Sequence, residues 1–270
     1  MFTFRTGKSA SQMKHPESEN TGTNSSAQRS PFRFKQFSIA DDRCAMKVGT
    51  DGILLGAWAN PGSATRIADF GSGSGLIALM LAQRTADNVR IDAVEIDSES
   101  ACQAAGNIDA SPWSSRVSVH SVPVQQFVRR VNGALDHIVC NPPFFETGLP
   151  SPAHGRARAR HTQWLSREAL FQSAALALRA SGRISLIAPY SDLEAITETA
   201  RDSGLHLGRL TLVSPLPGRP PKRILAEYSK NPEDLIDRDG TRINQLVIEH
   251  QHHQYTEAFL ELTGAFYLKR

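Results

Sequence analysis

A glycine-rich loop and a later acid have the types and spacing needed to hold a nucleotide-like cofactor. The stretch 69–75 reads D-F-G-S-G-S-G and includes Asp69. Gly71, Gly73 and Gly75 permit a tight turn and a close approach of backbone to ligand. Glu95 stands twenty positions after Gly75, at the end of the next apolar run. An acid at about this distance accepts hydrogen bonds from a ribose diol, as required for either NAD or S-adenosylmethionine.

A second acid near this position, Asp97, competes for the ribose role. It also suits the N-cap of the helix that follows. We prefer Glu95, because it directly follows the apolar pair Ala93 and Val94 at the end of the predicted strand.

The tetrapeptide N-P-P-F, from Asn141 to Phe144, favours methyl transfer over hydride transfer. It directly follows the apolar run L-D-H-I-V-C, and Pro142 and Pro143 make its backbone rigid. The side-chain oxygen of Asn141 and the carbonyl of Pro142 can each accept one N–H of a planar amino group. The nitrogen lone pair then faces a sulfonium methyl, and positioning supplies most of the rate. Phe144 offers a ring on which a flipped base can stack, so the motif predicts S-adenosylmethionine rather than NAD.

Alternating strands and helices must position these loops. Strand-like runs occupy 66–70, 89–96, 117–122, 135–140 and 183–188, with helical patterns between most of them, and a strand-rich region follows at 207–213, 223–228 and 245–250. This order predicts an α/β, Rossmann-like fold with a seven-stranded, mostly parallel sheet. We expect helices on both faces and an antiparallel hairpin at the C-terminal end.

The composition is that of an ordinary globular protein, with 40% hydrophobic and 21% charged residues. No apolar run approaches the ~20 residues that span a bilayer. The N-terminus lacks the apolar core of a secretory signal, so a cytoplasmic location without membrane contact is predicted. Cys44, Cys102 and Cys140 are scattered, which argues against a disulfide framework or zinc site. No metal is therefore expected.

From Phe32 onward the chain resembles the bacterial tRNA(Val) adenine-N6 methyltransferases. These class I enzymes use S-adenosylmethionine and modify the adenine next to the anticodon, position 37. The most distinctive stretch reads F-K-Q-F-S-I-A-D-D-R-C-A-M-K-V-G-T-D-G-I-L-L-G-A-W-A, and further similar blocks are I-D-A-V-E and Y-T-E-A-F-L-E-L-T-G-A-F-Y-L. The resemblance implies the same cofactor loop, ribose acid and acceptor clamp that the residues themselves predict.

By the same resemblance, Lys47, Thr50 and Asp51 close over the methionine end of the cofactor, with the Asp51 carboxylate against its ammonium. The alternative for G-T-D-G is a turn with an N-capping Asp. The predicted organisation is a disordered tail over 1–30, a segment closing over the cofactor site over 31–62, and the methyltransferase domain over 63–270.

Two positions depart from the family pattern. Phe144 stands where family members often carry Tyr, which keeps stacking and removes a hydroxyl. Pro123 stands where similar sequences have an Asp that accepts from the amino group of the cofactor adenine. Two outcomes stay open: cofactor affinity is lower, or Ser121 or Gln125 takes over that contact.

Two basic clusters are candidates for contacts with RNA phosphates. The first, G-R-A-R-A-R-H, follows the acceptor motif and contains Arg156, Arg158 and Arg160. The second, G-R-P-P-K-R, contains Arg219 and Lys222 as well as Arg223. Both are equally compatible with solvated loops.

The sequence thus predicts a methyltransferase acting on N6 of an adenine in tRNA, with adenine 37 of tRNA1(Val) as the substrate and a monomer as the expected state. Three alternatives stay open. An amide nitrogen suits the same clamp, so a protein glutamine-N5 methyltransferase is the main rival. A DNA adenine methyltransferase is disfavoured because no separate target-recognition domain is evident. A non-catalytic RNA-binding module is supported by Pro123 alone.

Overall fold

An eight-stranded, mostly parallel sheet forms the centre of the molecule. The computed structural model describes residues 30–142, 165–231 and 243–268. In chain order the strands are β1 (Phe32–Arg33), β2 (Ser38–Ile39), β3 (Arg66–Phe70), β4 (Arg90–Glu95), β5 (Val117–Ser121), β6 (Leu135–Cys140), β7 (Leu178–Pro189), β8 (His206–Ser214), β9 (Arg223–Ser229), β10 (Ile243–Val247), β11 (Glu249–Gln251) and β12 (Gln254–Tyr255). The central sheet has the order β10-β8-β9-β7-β6-β3-β4-β5. Only β9 is antiparallel to its neighbours, β7 and β8.

Helices cover both faces of this sheet. In the described residues they are α1 (Thr50–Trp58), α2 (Leu76–Gln83), α3 (Ser98–Asp109), α4 (Val124–Val128), α5 (Arg167–Ala177), α6 (Leu193–Asp202) and α7 (Glu257–Thr263). One apolar core contains side chains of α1, α2, α3 and α7, and a second contains side chains of α4, α5 and α6. The two cores lie on opposite faces, because a sheet of parallel strands must be covered on both sides.

Helix α2 is buried almost all round, and its sequence explains why. Residues 76–82 are apolar and each is buried. A helix without a polar face must be enclosed, here between the sheet and α1. Gly56 of α1 permits this packing, since a Cβ at that position would lie 2.6 Å from the sulfur of Met80. The glycine loop is therefore followed by a rigid, fully packed helix.

The N-terminal segment packs against the end of the chain. The Phe34 and Phe37 rings stack with centroids 4.6 Å apart. The Lys35 N–H donates to the carbonyl of Phe266 at 2.9 Å. The Tyr267 ring lies 6.4 Å from Phe34, so aromatic contacts join the two ends of the described chain.

The predicted fold class is confirmed, with two differences in detail. The sheet contains one strand more than expected, because β10 adds to the outer edge of β8 in parallel. Strand β7 begins at Leu178, before the start at residue 183 that the sequence predicts, so the preceding helix ends at Ala177. Among the described residues no helix is long and apolar enough to cross a membrane. The predicted tail over 1–30 lies almost wholly outside them.

Candidate active site

The predicted site residues converge at one edge of the sheet. Phe70, at the end of β3, is in register with Val94 of β4 and with Cys140 of β6. The glycine loop, Glu95 and Asn141 therefore all follow the carboxyl ends of adjacent parallel strands. In open α/β sheets this edge is where ligands bind.

The glycine loop curls over the end of β4. The N–H groups of Gly71 and Ser72 donate to the carbonyl of Val94 at 2.8 and 3.1 Å. Gly71, Gly73 and Gly75 have φ angles of 72°, 53° and 81°, the left-handed region that favours glycine. A Cβ on Gly71 or Gly73 would meet nothing within 4 Å. Backbone conformation requires these two glycines, and the space beside them is open to a ligand.

Glu95 is buried, with 3% of its surface exposed, and both its oxygens accept backbone hydrogen bonds. Oε2 accepts from the Gly73 N–H and Oε1 from the Asp97 N–H, each at 2.9 Å. A carboxylate oxygen has a further lone pair, so Glu95 retains acceptor capacity for a diol. Asp97 caps α3 by accepting from the Ser100 N–H at 2.9 Å. The competing acid thus has a structural role already.

Asp69 lies beneath the loop and is fully buried. Its Oδ2 accepts from the Ala78 N–H at 3.1 Å. Burial, opposed by the hydrogen bond from Ala78 and assisted by the nearby Glu95 carboxylate, raises the pKa of this carboxyl to about 7. Within the described residues, neither Oδ1 of Asp69 nor Oγ of Ser72 has a hydrogen-bond partner. Buried polar atoms rarely stay unpaired, so these two fit a site that binds a polar ligand.

The acceptor motif begins where β6 ends. Cys140 is fully buried, and burial raises the pKa of its thiol well above the usual value. Asn141 follows it, partly buried, and Pro142 is buried. The other two predicted clamp residues, Pro143 and Phe144, lie outside the described residues, as do Arg156, Arg158 and Arg160.

Lys47 and Asp51 make contacts that the sequence did not predict. Lys47 Nζ donates to three carbonyls of its own segment, those of Asp41 at 2.6 Å, Asp42 at 3.2 Å and Cys44 at 3.0 Å. Asp51 Oδ2 accepts from Arg223 Nε at 2.9 Å. Thr50 begins α1, and the N-cap of this helix is Gly49 rather than Asp51. The cofactor contacts of these three residues stay predictions.

Ser121 lies beside the acid that is expected to hold the ribose. It ends β5 and is in direct register with Glu95 on β4. Its side chain is exposed, and Pro123, two residues later, is the N-cap residue of α4. Ser121 therefore lies at the same edge of the sheet as Glu95, and its contact with the cofactor adenine stays a prediction.

Two amides of α3 join the glycine loop to the N-terminal segment, and the sequence did not indicate them as site residues. Asn107 Nδ2 donates to the carbonyls of Ala40 at 2.8 Å and Ser74 at 2.9 Å, and its Oδ1 accepts from the Ala40 N–H at 2.9 Å. Gln103 Oε1 accepts from the Arg43 N–H at 2.9 Å. Their i, i+4 spacing, which places both amides on one face of the helix, was the available signal.

The three cysteines of the chain differ in exposure. Cys44, which belongs to this segment, is buried, and burial raises the pKa of its thiol to about 11. Cys140 is likewise buried, whereas Cys102 of α3 is exposed. Helix α3 therefore presents its amides to the segment and a thiol to solvent.

Comparison with known proteins identifies a methyltransferase family. A family model described as the methyltransferase small domain matches residues 48–195. The tRNA1(Val) (adenine(37)-N6)-methyltransferase of Citrobacter koseri is 45% identical over 244 residues, which cover 90% of this chain and 97% of that protein. The enzyme of the same name from Escherichia coli O157:H7 is 43% identical over 240 residues, covering 89% and 96%.

Structural comparison supports the fold alone. A solved structure described as a predicted O-methyltransferase from Agrobacterium tumefaciens superposes with a TM-score of 0.57 at 22% identity, covering 80% of this chain and 96% of that one. The matches to the two sequence relatives cover nearly the whole length of those proteins. The chain belongs to the family of tRNA1(Val) (adenine(37)-N6)-methyltransferases, within the methyltransferase small domain class.

Proposed function

We propose that this protein transfers a methyl group from S-adenosylmethionine to N6 of an adenine in tRNA, namely adenine 37 of tRNA1(Val). The observation that carries the proposal is the position of Asn141 and Pro142. They follow β6 at the same edge of the sheet at which the glycine loop follows β3 and Glu95 ends β4. Relatives at 43–45% identity bear the name of this activity. The cytoplasm, where bacterial tRNA is found, is the proposed place of action.

The glycine loop, Asp69 and Glu95 are proposed to hold the cofactor. Glu95 accepts from the ribose hydroxyls, while the unpaired Oδ1 of Asp69 and Oγ of Ser72 pair with polar groups of the ligand. Ser121, which is in register with Glu95, is proposed to contact the adenine of the cofactor. When bound, S-adenosylmethionine supplies a methyl group on a sulfonium, which a neutral amine can take up directly. The segment 31–62 is proposed to cover this site, held by Asn107 and Gln103.

The acceptor clamp is proposed to act by orientation. Asn141 Oδ1 and the Pro142 carbonyl accept the two N–H groups of the adenine amino nitrogen. The nitrogen becomes more pyramidal, and its lone pair lies along the line of transfer. One N–H proton is lost to water as the new N–C bond forms, so no strong base is required. Phe144 is proposed to stack on the flipped adenine.

Labelled S-adenosylmethionine with unmodified tRNA1(Val), followed by mass spectrometry of the nucleosides, tests the proposal. We expect N6-methyladenosine at position 37. The Asn141→Ala variant should lose turnover by at least about 10²-fold, since it removes a preorganised polar contact, while cofactor affinity is kept. Wild-type turnover in this variant would remove Asn141 from the clamp. Methylation of glutamine in a protein acceptor, with no label in tRNA, would favour the alternative substrate.

A further inference from the structure

The loop between β8 and β9 brings basic groups, and the end of β7 brings an aromatic ring, to the edge of the sheet that carries the acceptor clamp. Strand β9 is antiparallel to β7 and β8, so it begins where they end. The Tyr190 N–H, just after β7, donates to the carbonyl of Lys222 at 3.2 Å. Tyr190 and the loop 214–222 are thus fixed side by side at the carboxyl edge.

Two cations of this loop face solvent, while the third has a partner. Arg219 and Lys222 are exposed, and their side chains make no hydrogen bond or ion pair to the part of the chain that the structure describes. Arg223 is held by Asp51 at 2.9 Å. The stretch 214–223 reads S-P-L-P-G-R-P-P-K-R and contains no acid. This loop is therefore a positive surface, complementary to phosphate.

The same loop forms one wall of an open groove. The cavity has a volume of about 490 Å³ and is lined by Ser214, Leu216, Gly218, Arg219, Pro220, Pro221, Gln245 and Val247. Prolines and aliphatic carbons make its walls flat and rigid, and the amide of Gln245 can pair with a base edge. The volume lies in the range of small-molecule sites, ~300–1,000 Å³, and suits an unstacked nucleobase.

Distances across the sheet place these groups within reach of one RNA strand. Neighbouring strands lie about 4.8 Å apart, so β8 and β10, three and four strands from β6, lie about 14 and 19 Å from the clamp. Tyr190, with 42% of its surface exposed, follows β7, next to β6. Aromatic rings and cations along one groove are the features that bind single-stranded RNA.

We propose that this edge binds the nucleotides flanking the target adenine, a surface we name the flank site. Arg219 and Lys222 contact their phosphates, Tyr190 stacks on the nearest flanking base, and the groove holds a more distant one. The proposal deepens the proposed function and rests on it, because it assigns where the RNA beyond the methylated base is held.

A double variant, Arg219→Ala with Lys222→Ala, tests the phosphate contacts. We expect its Kd for unmodified tRNA1(Val) transcript to rise by roughly tenfold or more at moderate salt. The slope of log affinity against log salt should fall by about 1.4, since each single-strand phosphate contact contributes about 0.7. The Kd for S-adenosylhomocysteine and the Tm should not change. Fluorescence anisotropy and isothermal titration calorimetry measure these quantities.

Arg129→Ala with Arg130→Ala is the matched control. Both arginines are exposed and follow α4, which runs from the carboxyl end of β5 towards the amino end of β6. The control removes the same charge at the opposite edge and should leave RNA affinity and salt slope close to wild type. Equal losses in both double variants would show a general charge effect and overturn the flank site.

Tyr190 provides a second, charge-neutral test. Tyr190→Ala should weaken RNA binding by at least about fivefold through lost stacking, whereas Tyr190→Phe should bind like wild type. If wild-type protein methylates tRNA while the basic and Tyr190→Ala variants bind it unchanged, the flank site is wrong and the proposed function stands. If wild-type protein fails to methylate tRNA, the proposed function fails, and the same binding comparison still decides the flank site.

Discussion

Two buried acids at adjacent strand ends differ in how their charge is stabilised. Glu95 accepts two backbone N–H groups, one on each oxygen. Within the described part of the chain Asp69 accepts only the Ala78 N–H, and burial raises its pKa to about 7. Hydrogen bonds stabilise a carboxylate, whereas desolvation favours the neutral acid. Glu95 therefore serves as a hydrogen-bond acceptor, and Asp69 titrates near neutral pH.

Asp69 is predicted to make stability depend on pH. The carboxyl loses this proton near its ordinary pKa of 3.8 in the unfolded chain and near pH 7 in the folded chain. The folded state holds the extra proton between these values, so the Asp69 contribution to the free energy of unfolding falls as pH rises from about 4 to 7 and is constant above.

The Asp69→Asn variant checks this expectation, because an amide oxygen still accepts from the Ala78 N–H and does not titrate. Relative to wild type, it should gain up to about 3 kcal/mol in the free energy of unfolding between pH 5 and pH 8. Urea unfolding at both pH values measures the difference. Parallel pH profiles of the two proteins would contradict a raised pKa for Asp69.

Glu95→Ala is predicted to weaken cofactor binding by at least about tenfold, the effect of losing a charged hydrogen-bond acceptor. Glu95→Gln should show a smaller loss, because one acceptor oxygen remains. Calorimetry with S-adenosylhomocysteine measures both. Asp97→Asn is the control, since it keeps the oxygen that caps α3. A larger loss in this control than in Glu95→Ala would transfer the ribose role to Asp97.

At the scale of elements, α3 connects three parts of the site. Its N-terminus begins at the cap after Glu95, its middle holds the segment 40–44 through Gln103, and Asn107 reaches the glycine loop. A single helix thus fixes the relative positions of the loop and the segment that faces it. Movement of that segment requires these amide contacts to break.

Asn107→Ala removes three hydrogen bonds of this connection. We expect the free energy of unfolding to fall by about 1–3 kcal/mol, because the Ala40 and Ser74 backbone groups lose a buried partner. Amide exchange at Ala40 and in the following residues should accelerate, while exchange in β4 stays slow. Hydrogen-exchange mass spectrometry on this variant and on Asp109→Ala, an exposed change in the same helix, separates the effects. Unchanged exchange at Ala40 would show that the segment is held by other contacts.

The sequence predicted these elements well where the signal was local. The run from Leu135 to Cys140 is mostly apolar and the stretch from Leu76 to Ala82 wholly so, and both form the predicted element. The partners of Gln103 and Asn107 lie 60 and 67 positions away. Asp51 meets Arg223 at a separation of 172. Such pairs depend on how the elements pack, so no local pattern indicates them.

At the scale of the whole molecule, the direction of the strands gathers the candidate chemistry at one edge. The order of strands and glycines along the chain was sufficient to predict that edge, because parallel strands end together. The eighth strand was harder to place. Strand β10 pairs in parallel with β8, and its position decides that Gln245 and Val247 line the groove beside the basic loop.

The unequal burial of the three cysteines has a practical consequence. Only a thiolate reacts with maleimide reagents, and Cys44 and Cys140 are both enclosed and hard to ionise. A dye added to the native protein should therefore attach at Cys102 alone. That thiol lies on the solvent side of α3, the helix whose amides hold the segment 40–44. The wild-type sequence thus carries a single site for a fluorescent label, without any engineering, on the helix that contacts the glycine loop through Asn107.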